Sequence, residues 1–135
     1  MKHTIKHDER TIYITYIDEI ELEDAVYLTE KTIEILENTT SLTKMNFVLD
    51  ISGAYITNIL SLKKAASLMS PQFKKMNKAY IIGSSGIQVT FAKMFIKLIG
   101  SFVKTEKIKF FDTLDEANQD IDHSWLHYII KQQKK

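Results

Sequence analysis

The chain has 135 residues, 44% hydrophobic and 26% charged, the make-up of one ordinary globular domain with a core of its own. It contains no cysteine, which excludes disulfide frameworks, cysteine nucleophiles and thiolate metal sites, and with one proline and four glycines it holds no flexible linker. The net charge of +1 is uneven, since residues 1–50 carry eleven acids against five bases while residues 51–105 carry eight lysines and no acid.

Thr4 to Lys6 and Thr11 to Tyr16 read as two strands of an N-terminal β-hairpin joined by His7-Asp8-Glu9-Arg10. In the second strand Ile12, Ile14 and Tyr16 alternate with Thr11, Tyr13 and Thr15, the period of a half-covered strand. Met1 to Asp8 has no apolar signal region, which predicts a cytoplasmic protein. From Glu21 to Glu37 the period becomes helical, with Leu22, Val26, Thr29, Ile33 and Leu36 on the expected buried face. Glu21, Glu23 and Asp24 stand at the positive end of that helix dipole, and Asn38-Thr39-Thr40-Ser41 closes it.

Met45 to Asp50 is a short apolar run ending in an acid, which predicts a strand buried on both faces in mid-sheet. Ile51-Ser52-Gly53-Ala54 predicts the turn at its carboxyl end, where an open α/β sheet meets its ligand or partner. A helix from Leu62 to Met69 follows, with Leu62, Ala65, Ala66 and Met69 inward, Lys63 and Lys64 outward, and Ser61 as N-cap. Ser70-Pro71 interrupts it, and a turn through Phe73 and Met76 leads to the strand Ala79 to Ile82.

Gly83-Ser84-Ser85-Gly86 opens a long helix over 86–104. The turn lacks the spacing of the established phosphate loops, so Ser84 or Ser85 reads first as a cap, with a bound anion at Ser84, Ser85 and Gly86 as the second reading. The helix shows a broad apolar arc through Phe91, Met94, Phe95, Leu98, Ile99 and Phe102, against a polar stripe of Lys93, Lys97, Ser101 and Lys104. The excess is read as cover by a neighbouring helix, as a homodimer contact, or as a lipid contact through Phe91, Phe95 and Phe102. The stretch is too short and too charged to span a membrane. Ile108 to Phe111 is the last strand, and Thr113-Leu114-Asp115-Glu116 is a capping box starting a helix to Ile121. On a final helix His123 and His127 stand four apart near Asp120 and Asp122, the spacing of a metal pair and equally of dipole partners at a helix end; we expect no metal. Lys131 to Lys135 is expected to fray.

Ser52 with Asp50, or His123 with Asp122, are neighbours in sequence that form no catalytic set, and Asp50 as a Mg²⁺ ligand has no second acid before Glu106. The chain therefore reads as non-catalytic and without cofactor. Lys63, Lys64, Lys93, Lys97 and Lys104 form a basic face suited to an anionic lipid, an acidic protein or the acidic half of a second copy, or else a solvated surface. Nucleic acid is disfavoured, because Arg10 is the only arginine.

Asp50-Ile51-Ser52-Gly53-Ala54-Tyr55-Ile56 resembles the D-L-S-G-V-x-F segment of STAS domains. The chain as a whole is similar to the small stand-alone bacterial proteins described as SpoIIAA-like. The likeness includes the hairpin start, the acidic first helix, Lys78-Ala79-Tyr80-Ile81-Ile82-Gly83, Phe110-Phe111-Asp112-Thr113-Leu114-Asp115-Glu116-Ala117 and Trp125-Leu126, and runs from Thr11 to Leu126. It implies one α/β domain over residues 1–135, core about 11–127, with a mixed five-stranded sheet, an antiparallel N-terminal hairpin and four to five helices. It also implies a regulatory interaction module that meets a protein or anionic partner through Asp50, Ser52, Gly53, Tyr55, Thr57, Asn58 and Ser61 and through the basic face. The alternative is a small-ligand or lipid carrier using the apolar face of helix 86–104. Regulatory members of the family continue the turn with aspartate, the phosphorylated serine, serine and glycine. Counted from Asp50 these positions are Asn58, Ile59, Leu60 and Ser61, so no phosphoserine switch is implied, and Thr57 and Ser61 are the substitute hydroxyls.

Overall fold

A computed structural model describes residues 2–38, 44–55, 57–58, 60–83 and 107–133, with the backbone alone for residues 62 and 124–133. Five strands, β1 (Thr4–His7), β2 (Thr11–Glu19), β3 (Met45–Tyr55), β4 (Met76–Ile82) and β5 (Ile108–Phe111), lie side by side in chain order in one sheet. β1 and β2 pair antiparallel, and every later neighbour is parallel, which makes the predicted mixed sheet with β3 at its centre. The described helices are α1 (Leu22–Asn38), α2 (Leu60–Met69), a 3-10 turn (Ser70–Lys75) and α3 (Leu114–Gln133). Three α-helices thus stand among the described residues where four to five were expected, and the anticipated helix over 86–104 lies outside them.

The alternation along β3 explains the layering. Phe47 faces a core with Ile12, Ile14, Ala79 and Ile81 from the neighbouring strands and with Leu28, Leu36, Ala66 and Met69 from α1 and α2. Val48 faces the opposite side, where Tyr80, Ile82, Ala117 and Ile121 pack under α3. A strand covered on both faces has to be apolar at successive positions, and Phe47-Val48-Leu49 meets that condition. Pro71, set in the first positions of the 3-10 turn, ends α2 and swings Phe73 into the core ahead of β4.

Several boundaries differ from the sequence reading. The buried stripe of α1 is Ala25, Leu28, Thr29, Thr32 and Leu36, so the core face is rotated from the expected Leu22–Val26–Ile33 line. Leu22 is left 40% exposed, and Val26 and Ile33 are half-buried on the flank turned toward α2. Thr29 and Thr32 enter the core because their hydroxyls donate to the carbonyls of Ala25 and Leu28, at 2.7 and 2.8 Å. The two predicted C-terminal helices are one helix, running without a break from Leu114 to Gln133 and so through the first part of the supposed tail. Its start is the expected capping box, in which Thr113 Oγ1 accepts the Glu116 N–H at 3.2 Å.

The N-terminal strand is pinned by a histidine that the sequence reading passed over. His3 is buried. The Ile17 N–H donates to its Nδ1 at 3.0 Å, so the ring proton sits on Nε2, 3.1 Å from the Asp24 carboxylate on α1. On the opposite face Tyr80 Oη donates to Asp120 at 2.9 Å and Lys109 Nζ binds the same carboxylate at 3.1 Å. Burial pushes the Asp120 carboxyl up, but the hydrogen bonds from Lys109 and Tyr80 and the charges of Lys109 and Lys78 outweigh it and leave it below its ordinary value.

Candidate functional site

The carboxyl ends of β2, β3 and β4 lie at one edge of the sheet, as parallel pairing requires. The sequence reading placed a turn at Ile51-Ser52-Gly53-Ala54. In the structure these residues are strand, and β3 runs on to Tyr55. Pairing with β4 stops at Asp50↔Ile82, whereas pairing with β2 continues through Ile17↔Gly53, Asp18↔Ala54 and Glu19↔Tyr55. The ends of β2 and β3 therefore outrun β4 as a two-stranded ribbon.

Local chemistry explains how β2 keeps pace. Its register shifts between Thr15 and Ile17, and Asp18 takes a left-handed φ of 58°, a conformation that a short polar side chain tolerates better than a branched one. Lys2 Nζ reaches the Asp18 carboxylate at 3.1 Å. Two contacts clamp the tip: the Ile20 N–H donates to the Tyr55 carbonyl at 2.9 Å, and the Thr57 hydroxyl donates to the Glu19 carboxylate at 2.5 Å. At β4, the Gly83 N–H donates to the Phe111 carbonyl, and a Cβ on Gly83 would stand 3.2 Å from Ile51 Cγ1, so glycine lets the strands close there. A Cβ on Gly53 would meet nothing within 4 Å, which marks the ribbon's open side.

Within this edge the structure brings most of the anticipated loop together. The Asp50 carboxylate turns back on its own strand and accepts both the N–H and the hydroxyl of Ser52, at 3.0 and 2.6 Å. Ser52 and Gly53 are exposed, and Tyr55 is 48% exposed. Asn58 is the cap of α2: its side-chain oxygen accepts the Leu60 N–H at 3.0 Å and its carbonyl accepts the Ser61 N–H at 3.1 Å. Ser61, the residue expected to cap, is instead one of the most buried residues of the chain, and its hydroxyl has no hydrogen-bond partner among the described residues. It is thus neither the cap nor a hydroxyl open to modification. The reason is phase: a cap at Asn58 starts the helix early and turns Ser61 inward with Ala65.

Starting at Leu60, α2 leaves that leucine exposed, a contact role that its sequence surroundings do not signal. Leu60, Lys63, Lys64 and Ser67 of α2 line one wall of an open groove of about 420 Å³, and Leu22 and Val26 of α1 line the other. Lys63 and Lys64 are exposed, as expected of the basic face. Lys93, Lys97 and Lys104, the anion turn Ser84, Ser85 and Gly86, and the apolar residues Phe91, Phe95 and Phe102 lie outside the described residues. So does the His127 side chain, while Asp120 is held by Tyr80 and Lys109 and Asp122 accepts from the Arg10 guanidinium at 2.7 Å. Among the described residues no three acids or histidines cluster as metal ligands, and no helix is long and apolar enough to cross a membrane.

No family model matches the chain, and no curated protein matches it. Solved structures do. The fold is similar to that of an uncharacterised protein of the DUF3478 family with a SpoIIAA-like fold from Shewanella loihica PV-4, at a TM-score of 0.63 and 15% identity over 87% of this chain and 90% of that one. It is also similar to the anti-sigma factor antagonist SpoIIAA in its unphosphorylated form, at a TM-score of 0.58 and 10% identity over 90% of this chain and 97% of that one. The architecture is therefore SpoIIAA-like, of the STAS type that the sequence resembled.

Proposed function

We propose that this chain is a single-domain, non-catalytic interaction module of regulatory type that binds a protein partner through the overrunning β2–β3 ribbon and the adjoining start of α2. One observation carries the reading. Where β4 stops, Ser52, Gly53 and Tyr55 continue into solvent on a clamped, two-stranded support, with Leu60, Lys63 and Lys64 exposed at the start of α2. A half-exposed tyrosine and leucine rimmed by lysines is the make-up of a contact patch, with aromatic anchors for affinity and charge for orientation. Asp50 serves this edge by ordering Ser52, since its carboxylate is already committed to the Ser52 N–H and hydroxyl.

The likeness to an anti-sigma factor antagonist supports a protein as the partner. The position that resembles the family's phosphorylated serine is Ile59, which has no hydroxyl, so binding here is not switched by a phosphoryl group at that residue. The test is site-specific photocrosslinking in the native cell from position 55, compared with position 116 at the start of α3. One discrete heterologous adduct from position 55, lost when Ser52→Arg is added, is expected. Equal adducts from both positions, or an adduct indifferent to Ser52→Arg, overturns the reading.

A further inference from the structure

The α1–α2 face has a charge pattern of which the strand-end contact uses only the start of α2. α1 and α2 each join one parallel strand to the next and pack over the same core, so they lie side by side and point the same way. The outward row of α1 is Glu23, Tyr27, Glu30 and Glu34, followed by Glu37. The outward row of α2 and the 3-10 turn is Leu60, Lys63, Lys64, Ser67 and Lys74, in a stretch without any acid. Glu34 pairs with Lys31 at 3.5 Å, but Glu23, Glu30, Glu37, Lys63, Lys64 and Lys74 make no ion pair among the described residues. Between the two rows runs the apolar groove, with Leu22 and Leu60 at its amino-terminal end, 40% and 55% exposed.

An acidic row on α1, an apolar groove and a basic row on α2, side by side, make a surface complementary to itself, which is the requirement for a two-fold interface. Two in-plane axes are available. An axis across the helices would stack α1 on α1 and set acids against acids. An axis along the groove stacks α1 of each copy on α2 of the other and keeps height along the helices, so the leucines that share a level meet.

We propose that this face is a self-association surface on which two copies meet groove to groove about a two-fold axis parallel to α1 and α2. Leu22 of each copy covers Leu60 of the other, and at ~1.5 Å rise per residue Glu23 and Glu30 of each bracket Lys63 and Lys64 of the other. Each pairing occurs twice, so individually weak exposed ion pairs add to the apolar contact and set its orientation. The inference goes beyond the strand-end contact: Leu60, Lys63 and Lys64 are common to both, so a partner and a second copy would compete for the start of α2, whereas Tyr55 and Ser52 take no part in the dimer.

Sedimentation equilibrium on the full chain tests it. The parent is expected to dimerise, with a dissociation constant that rises about ten-fold or more from low to high salt. Leu22→Asp, at an exposed first-turn position that tolerates an acid, should leave monomer with an unchanged far-UV CD spectrum. The decisive experiment is a charge swap. Lys63→Glu/Lys64→Glu gives two acidic rows and Glu23→Lys/Glu30→Lys gives two basic ones. Each alone is expected to be monomeric, and an equimolar mixture is expected to pair. A parent that stays monomeric up to about 1 mM, a charge variant that self-pairs as well as the parent, or folded variants whose mixture does not pair would each overturn the proposal. Loss of the position-55 adduct with an intact dimer would sink only the strand-end reading.

Discussion

The two halves of β3 put the same backbone to opposite uses. From Met45 to Val48 every residue is buried, and from Phe47 the strand is paired on both sides and covered on both faces. From Ile51 to Tyr55 it is paired with β2 after β4 has ended, and Ser52, Gly53 and Tyr55 are exposed. Stability is concentrated in the first half, where each side chain displaces water on both layers. The second half is held by hydrogen bonds at its tip and by the packing of Ile51 and buried Ala54, and only Ser52, Gly53 and Tyr55 are free to vary in side chain. A contact surface built this way inherits rigidity from the sheet without drawing on the core's packing.

Substitutions along the strand test that contrast. The largest effect is expected at Phe47→Ala, which opens a cavity between the sheet and the α1–α2 layer and should cost about 3–5 kcal/mol in denaturant unfolding. Next, the two glycines of the strand end should respond oppositely. Gly83→Ala drives a methyl to 3.2 Å from Ile51 and should cost about 1–3 kcal/mol, while Gly53→Ala enters open space and should be neutral within about 0.5 kcal/mol. Equal losses at the two sites would show that the ribbon is packed like the rest of the sheet.

A smaller effect is expected under α3. The Asp120 carboxyl is held below its ordinary value of 3.8 in the folded chain, so its ionised form favours folding. That contribution is fully present above the unfolded value and is lost as pH falls through the lower, folded one. Stability measured from neutral pH into acid should therefore drop across this window in the parent and less so in Asp120→Asn, which is already weakened at neutral pH. The smallest change in stability is expected at Tyr55→Ala, within about 0.5 kcal/mol by the same unfolding measurement, although it should abolish co-purification of the partner. A large loss at Tyr55 would mean the ribbon tip is structural.

Much of this was legible from residue patterns because the relevant signals are local. The period-two run Thr11 to Tyr16 found β2, the capping box found the start of α3, and the double-sided apolar run found the central strand. The misreadings share a cause. Ile51-Ser52-Gly53-Ala54 has the residues of a turn, yet pairing with β2 holds it extended, and nothing near it in sequence records that partner. On α1 the spacing points to Leu22, Val26 and Ile33 beside Thr29 and Leu36, but Ala25, Leu28 and Thr32 join Thr29 and Leu36 in the core instead, the two threonines satisfying their hydroxyls within the helix. Ser61 was chosen as a cap by residue type, whereas Asn58 reached the free N–H groups first. His3 gave no warning at all, since its burial depends on Asp24 and Ile17, well separated from it along the chain.

By itself the sequence determined the α/β alternation, the order of the strands along the chain and the lopsided charge, because each follows from composition or from periods of a few residues. Only the tertiary structure decided how far β3 runs past β4, which side of α1 is covered, and that Leu22 and Lys63 end up on opposite walls of one groove. Those outcomes depend on which distant strands and helices become neighbours, and the free energy of such contacts belongs to pairs of segments and is recorded in neither segment alone.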